Sequence, residues 1–265
     1  MALTAGLAVA FLTLPLLALF VRVPPGTLVG QLGDPAVRQA LLVSLKTSLI
    51  AHTIVLVVGT PAAYLLATRQ FRGRPALLMA IELPLVLPPA VAGLALLAAF
   101  GRRGLLGDEL AALGLSIPFT QLAVILAVIF VSIPFYLRWS VAAFGAVDPQ
   151  LLDASRTLGA GPGRTFRRVA LPLAAGGLGA ASSLAWARGL GEFGATIMFA
   201  GSFPGETRTM PLAVYAEFDH DFEVALSIGA LLVVASLAIL ATIRLLTWTR
   251  SPSTSPFPFA RSTSG

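Results

Sequence analysis

Asp148-Pro-Gln-Leu-Leu-Asp-Ala-Ser-Arg-Thr-Leu-Gly-Ala-Gly-Pro-Gly-Arg-Thr-Phe-Arg-Arg-Val-Ala-Leu-Pro172 is the longest polar, charged interruption in an otherwise oily chain. Asp148 followed by Pro149 reads as a helix start, because an aspartate caps free N–H groups and proline suits the first helical position. Leu151, Leu152, Ser155 and Leu158 recur at helical spacing, which gives a short helix with one apolar stripe. Gly159 supplies the stop, and Gly161-Pro162-Gly163 prevents continuation. Arg156, Arg164, Arg167 and Arg168 outnumber Asp148 and Asp153, so the stretch is net basic and should face the cytoplasm. A short capped helix held between two membrane spans is a shape suited to docking on another protein.

The rest of the chain sets the context. Its 265 residues are 57% hydrophobic and only 11% charged, with a mean hydropathy of +0.88. A soluble domain carries about a quarter charged residues, so the composition points to an all-α, polytopic membrane bundle. The net charge of +6 does not imply nucleic acid, because the arginines cluster in loops beside apolar runs, the positive-inside pattern. There is no cysteine, and the two histidines, His52 and His220, lie far apart, which argues against a metal site.

Runs of roughly 20 mostly apolar residues place spans at 3–21, 42–67, 76–100, 118–144, 173–200 and 224–246, about six in all. The first has no basic leader and no convincing cleavage site, so it reads as a retained anchor. Residues 22–39, 101–116 and 202–223 read as external loops, the last of them acidic, and both termini as cytoplasmic. Pro84, Pro88 and Pro89 must kink or break the third span, which favours a bent, path-lining segment. Glu82 reads as snorkelling or locally ion-paired, and His52 as a packed histidine. The expected organisation is a transmembrane domain over 1–250, with core 42–246 and loop 145–172, and a disordered tail over 251–265.

Motifs for chemistry are few. Gly189-Leu-Gly191-Glu-Phe-Gly194 fits G-x-G-x-x-G, but the dinucleotide fingerprint needs a preceding strand, and this one sits in a hydrophobic helical run. Glycines at that spacing instead let helices approach closely or open a path. Arg188 and Glu192 fall on one helix face, either as an intrahelical pair or as lining for a path. Ser182, Ser183 and Thr196 offer hydroxyls to an anion, although helix hydroxyls usually bond backward to a carbonyl. Gly159–Thr165 imitates a phosphate loop with the wrong glycine spacing and no lysine. No nucleophile elbow, zinc-protease motif or acid–base dyad is visible, so neither an enzyme nor a nucleotide hydrolase is expected. An ion-coupled carrier would need carboxylates at mid-membrane, and only Glu192 is a candidate.

Two resemblances follow from these residues. Asp153-Ala154-Ser155-x-x-x-Gly159, nine residues, then Val169-Ala-Leu-Pro172 resembles the EAA loop of ABC-importer permeases, with Asp for Glu, Ser for Ala and Val for Ile. Arg188-Gly-Leu-Gly-Glu-Phe-Gly-Ala-Thr-Ile-Met-Phe-Ala-Gly201, with Pro204–Tyr215, Leu83–Pro89 and Gly93-Leu94, resembles the molybdate/tungstate permeases among oxyanion importers. The resemblance implies a type I ABC-importer permease fold, with tungstate or sulfate as alternative cargo to molybdate. It implies no cofactor. It also implies a coupling helix (Leu151, Leu152, Asp153, Ala154, Ser155, Leu158, Gly159 and Pro172) seated on a cytoplasmic ATPase dimer. The implied partners include an extracytoplasmic oxyanion-binding protein, a second copy of the chain and the lipid of the cytoplasmic membrane. Arg188, Gly191, Glu192, Gly194 and Thr196 are the candidates for the pathway or gate.

Overall fold

The computed structural model describes residues 2–248, and the tail expected to be disordered lies outside them. The regular elements among the described residues are all helices: α1 (Ala2–Arg22), α2 (Pro25–Gln31), α3 (Pro35–Thr68), α4 (Arg74–Val86), α5 (Pro89–Phe100), α6 (Gly107–Ala112) and α7 (Gln121–Gly145), then α8 (Pro149–Thr157), α9 (Pro162–Thr165), α10 (Leu171–Leu190), α11 (Gly194–Ala200), α12 (Met210–Phe218) and α13 (Phe222–Trp248). Five segments are long and apolar enough to cross a membrane, and six if α4 and α5 count as one broken span.

The bundle is built around α7, which packs against α3, α10, α4, α5 and α11. Helix α3 starts where Asp34 accepts hydrogen bonds from the Ala36 and Val37 amides, with Pro35 in the first turn. Its 34 residues run about 51 Å, well beyond a hydrocarbon core of about 30 Å. The α3–α7 contact is close because Gly59 has no side chain: a Cβ there would stand 2.7 Å from the Tyr136 ring. The next residue on the same helix, Thr60, hydrogen-bonds the Tyr136 hydroxyl at 2.7 Å.

Several expected boundaries move. The third span is broken, α4 and α5 meeting at a bend of 116°. Pro88 and Pro89 lack the N–H groups that would carry the helix on. The fifth span starts at Pro162 rather than residue 173, because Pro162 stands at the first helical position of α9, where proline is favoured. The 161–163 run, read as preventing continuation of the helix, starts the next one. Phe166–Ala170 then forms a π-helical turn, closed by Leu171 N–H on the Phe166 carbonyl, just before Pro172, which has no N–H to give.

The same span ends early, at Leu190, and the chain breaks before α11. The expected external loops also contain helix: α2, α6 and α12 lie in stretches read as irregular. In the acidic stretch Asp221 caps α13 through the Glu223 and Val224 amides.

Candidate functional site

Two regions carry the polar residues that the apolar bundle does not explain. The first is α8. Asp148 accepts from the Gln150 amide at 2.9 Å and sets the helix start. Gly159 ends it with φ +81°, a left-handed conformation that a side chain would strain. Ser155 Oγ lies 3.1 Å from the hydroxyl of fully buried Thr165, fastening α8 to α9.

The single apolar stripe expected for this helix splits into two faces. Leu152 is 6% exposed, in a cluster with Phe144, Val147, Ala170 and Ala174. Leu151 and Leu158 point away and are 48% and 88% exposed. Leu158 follows Leu151 by seven residues, two turns, while Leu152 sits about 100° round the axis. Asp153 pairs with Arg156 at 2.8 Å on the solvent side, and neither is buried. Behind Leu152, Tyr64 from α3, Phe144 from α7 and Phe166 from the π turn stack with centroids 4.9 to 6.2 Å apart. Helix α8 thus rests on α9 and the π turn, with Leu152 in the cluster at the ends of α3, α7 and α10, while two leucines remain exposed.

The second region is the break after α10. Glu192 is not part of the helix that carries Arg188, so the pair expected on one helix face instead spans the break. Glu192 Oε2 pairs with Arg188 Nη1, and Oε1 accepts from the Ala195 amide in the first turn of α11 at 2.7 Å. The Glu192 side chain is 1% exposed and that of Arg188 is 29% exposed. Helix α11 is pressed against α5 by missing side chains on both. A Cβ on Gly194 would lie 2.6 Å from Pro89, and one on Gly93 would lie 2.7 Å from the Ala195 carbonyl. The break in the third span and the break in the fifth are therefore packed together. Gly191, just past the end of α10, is exposed, and a Cβ there would meet only the Ala187 carbonyl, at 3.8 Å.

The expected hydroxyls divide. Ser183 bonds back to the Gly179 carbonyl. Ser182 bonds His52 Nε2 at 2.8 Å across the α3–α10 contact, with Trp186 edge-on to the imidazole. His52 is thus a packed histidine. Thr196 is fully buried, and its hydroxyl has no hydrogen-bond partner among the described residues. Glu82 lies 3.8 Å from Arg138, both side chains half exposed, in a loose ion pair. Sequence reading missed Ser44, whose hydroxyl accepts from the Met210 amide at 2.7 Å and ties α12 to α3. A serine in a span gives no warning of a partner 166 positions away.

No strand precedes the glycine motif among the described residues, so the dinucleotide fingerprint lacks its context. The family model for the inner membrane component of binding-protein-dependent transport systems matches residues 57–247. The chain belongs to this family. The molybdenum transport system permease protein of Mycobacterium tuberculosis (strain ATCC 25618 / H37Rv) is 44% identical over 234 residues, covering 88% of both chains. The protein of the same description from Escherichia coli (strain K12) is 44% identical over 178 residues, 67% of this chain and 78% of that one. A sulfate transport system permease protein from Synechocystis (strain ATCC 27184 / PCC 6803 / Kazusa) is 34% identical, covering 81% and 78%.

Among solved structures, the permease matches a bacterial ABC transporter involved in alginate import with a TM-score of 0.76, 14% identity and coverage of 93% and 92%. It matches the MetNI methionine ABC transporter with a TM-score of 0.63, 18% identity and coverage of 82% and 96%. At such identities these matches speak for the fold alone, that of type I importer permeases. The permease is a multi-pass membrane protein of the ABC class and is not itself the ATPase.

Proposed function

We propose that this permease carries molybdate inward across the cytoplasmic membrane, driven by a separate ATPase dimer that α8 engages. The observation that carries the substrate is the similarity over nearly the whole chain to molybdenum permeases, above that to the sulfate permease. The buttressed α8 supports the coupling role. Leu151 and Leu158 would enter a groove of the ATPase, while Leu152 and Ser155 hold the helix against the bundle and Pro172 would close the loop at the start of α10. Asp153 and Ala154 shape its outer side, and Gly159 ends it. A second copy of the chain would complete the path. An extracytoplasmic oxyanion-binding protein would deliver the anion, and both termini would face the cytoplasm beside the basic loops.

Arg188, Gly191, Glu192, Gly194 and Thr196 stand near the candidate gate. Tungstate, a near-isosteric dianion, shares every feature of this reading, and sulfate is the alternative cargo. The test is uptake of labelled molybdate into proteoliposomes holding the permease, its ATPase and its binding protein. ATP-dependent uptake competed by tungstate and not by sulfate supports the proposal; competition by sulfate alone, or uptake without ATP, refutes it.

A further inference from the structure

Arg188 stands beside a face of α10 on which Gly176, Ala180 and Ala187 are exposed, with exposed Gly191 just past its end. Gly177, at the edge of that face, lies against Ala143 of α7. Leu173 and Leu184 are its large members. Lipid gives no reason to shed large side chains, whereas a neighbouring protein or a watery path does. An arginine within a span faces such an interior rather than lipid.

Behind the guanidinium, both oxygens of Glu192 are committed, one to Arg188 and one to the Ala195 amide. Phe193 is the N-cap of α11, so Glu192 reaches the Ala195 amide from one position before it, and its other oxygen is left to Arg188. The negative charge therefore acts on Arg188.

We propose that Glu192 is a fixed counter-ion that sets how strongly Arg188 holds an oxyanion in transit, and so a positioning residue for an anion contact. The inference rests on the oxyanion reading given above. A bare guanidinium in a low-dielectric path would grip a tetrahedral dianion through two parallel N–H bonds. A conducting path must let its ion leave. Glu192 takes one N–H of Arg188 and offsets its charge. Because Glu192 is shut away from solvent and fastened to α11, it cannot swing out and follow the anion.

The test measures retention of labelled molybdate, tungstate and sulfate by the purified permease–ATPase complex without binding protein. Glu192→Gln removes the charge but keeps an oxygen for the Ala195 amide. It is expected to raise retained oxyanion at least tenfold and to slow uptake in proteoliposomes, with a thermal midpoint close to wild type. The double variant Arg188→Gln/Glu192→Gln returns retention to the wild-type level or below. A purely structural pair would lower the midpoint and produce no gain of binding. Should Glu192→Gln fail to fold, Arg188→Gln carries the test: it must abolish the residual retention of the wild type. No gain for any of the three anions in a folded Glu192→Gln complex overturns the inference, as does unchanged retention in Arg188→Gln. A gain for sulfate but not for molybdate leaves the counter-ion standing and removes the molybdate reading.

Discussion

Leu152→Ala and Leu158→Ala, six residues apart in the same loop, should fail in opposite ways. Leu152 is 6% exposed within the cluster at the ends of α3, α7 and α10, whereas Leu158 is 88% exposed. Truncating a buried leucine costs about 2–5 kcal/mol. The lower figure fits a site at the edge of the bundle, where neighbours can relax into the gap. Since α8 is a local element, the loss should appear as local opening, and 2 kcal/mol corresponds to roughly 30-fold faster amide exchange. Truncating Leu158 exposes no cavity and should alter stability by about 0.5 kcal/mol or less.

Hydrogen exchange on the purified permease, read at the amides of 150–158, separates the two. Leu152→Ala should accelerate exchange and Leu158→Ala should not. In the assembled complex, Leu158→Ala should instead weaken capture of the ATPase and lower transport-coupled hydrolysis. Equal exchange in the two variants would refute the two-faced seating of α8. A Leu158→Ala complex that assembles and transports as wild type would refute the docking role of its outer face.

Gly93→Ala and Gly194→Ala each drive a Cβ to within 2.7 Å of an atom across the α5–α11 contact. Each should cost about 1–3 kcal/mol, read as a lower thermal midpoint in detergent. Gly159→Ala meets no atom within 4 Å but must hold φ +81°, a strain of about 1–2 kcal/mol. It should loosen α8 without disturbing the spans, as judged by exchange at 155–160 against unchanged protection in α7. Ser182→Ala removes the partner of His52. Because interhelical hydrogen bonds in membrane proteins average about 0.6 kcal/mol, the midpoint should fall only slightly, and a collapse of the fold would contradict this account.

What could be read in advance was local. Asp148-Pro149 and Gly159 bound α8 as expected, since caps and left-handed stops depend on adjacent residues. The prolines at 84–89 announced a break but not its 116° angle, which tertiary packing decides. The start of the fifth span was legible and was misplaced: Pro162 opens a helix by the rule that Pro149 obeys. The same holds for α12, where Pro211 follows Met210 in the first turn.

The break at 191–193 was not legible. Gly189, Gly191 and Gly194 read equally well as a close-packing face. The need for a glycine at 194 comes from Pro89, more than a hundred positions earlier. The pairing of Arg188 with Glu192 followed from their spacing, but the amide of Ala195 that fixes the carboxylate belongs to a helix the sequence did not announce.

The central claim is that α8 couples a separate ATPase to movement of an oxyanion, and one reconstitution tests it directly. Labelled molybdate uptake and ATP hydrolysis would be measured together in proteoliposomes containing the permease, the ATPase and the binding protein, with wild type beside Leu158→Asp. Because the natural chain has no cysteine, a single cysteine at position 151 reports contact with the ATPase by cross-linking in the same vesicles. The account predicts ATP-dependent uptake and a cross-link in the wild-type background, with uptake lost and hydrolysis no longer tied to molybdate in Leu158→Asp. Uptake that persists undiminished in Leu158→Asp, or the absence of any cross-link from position 151, would contradict it.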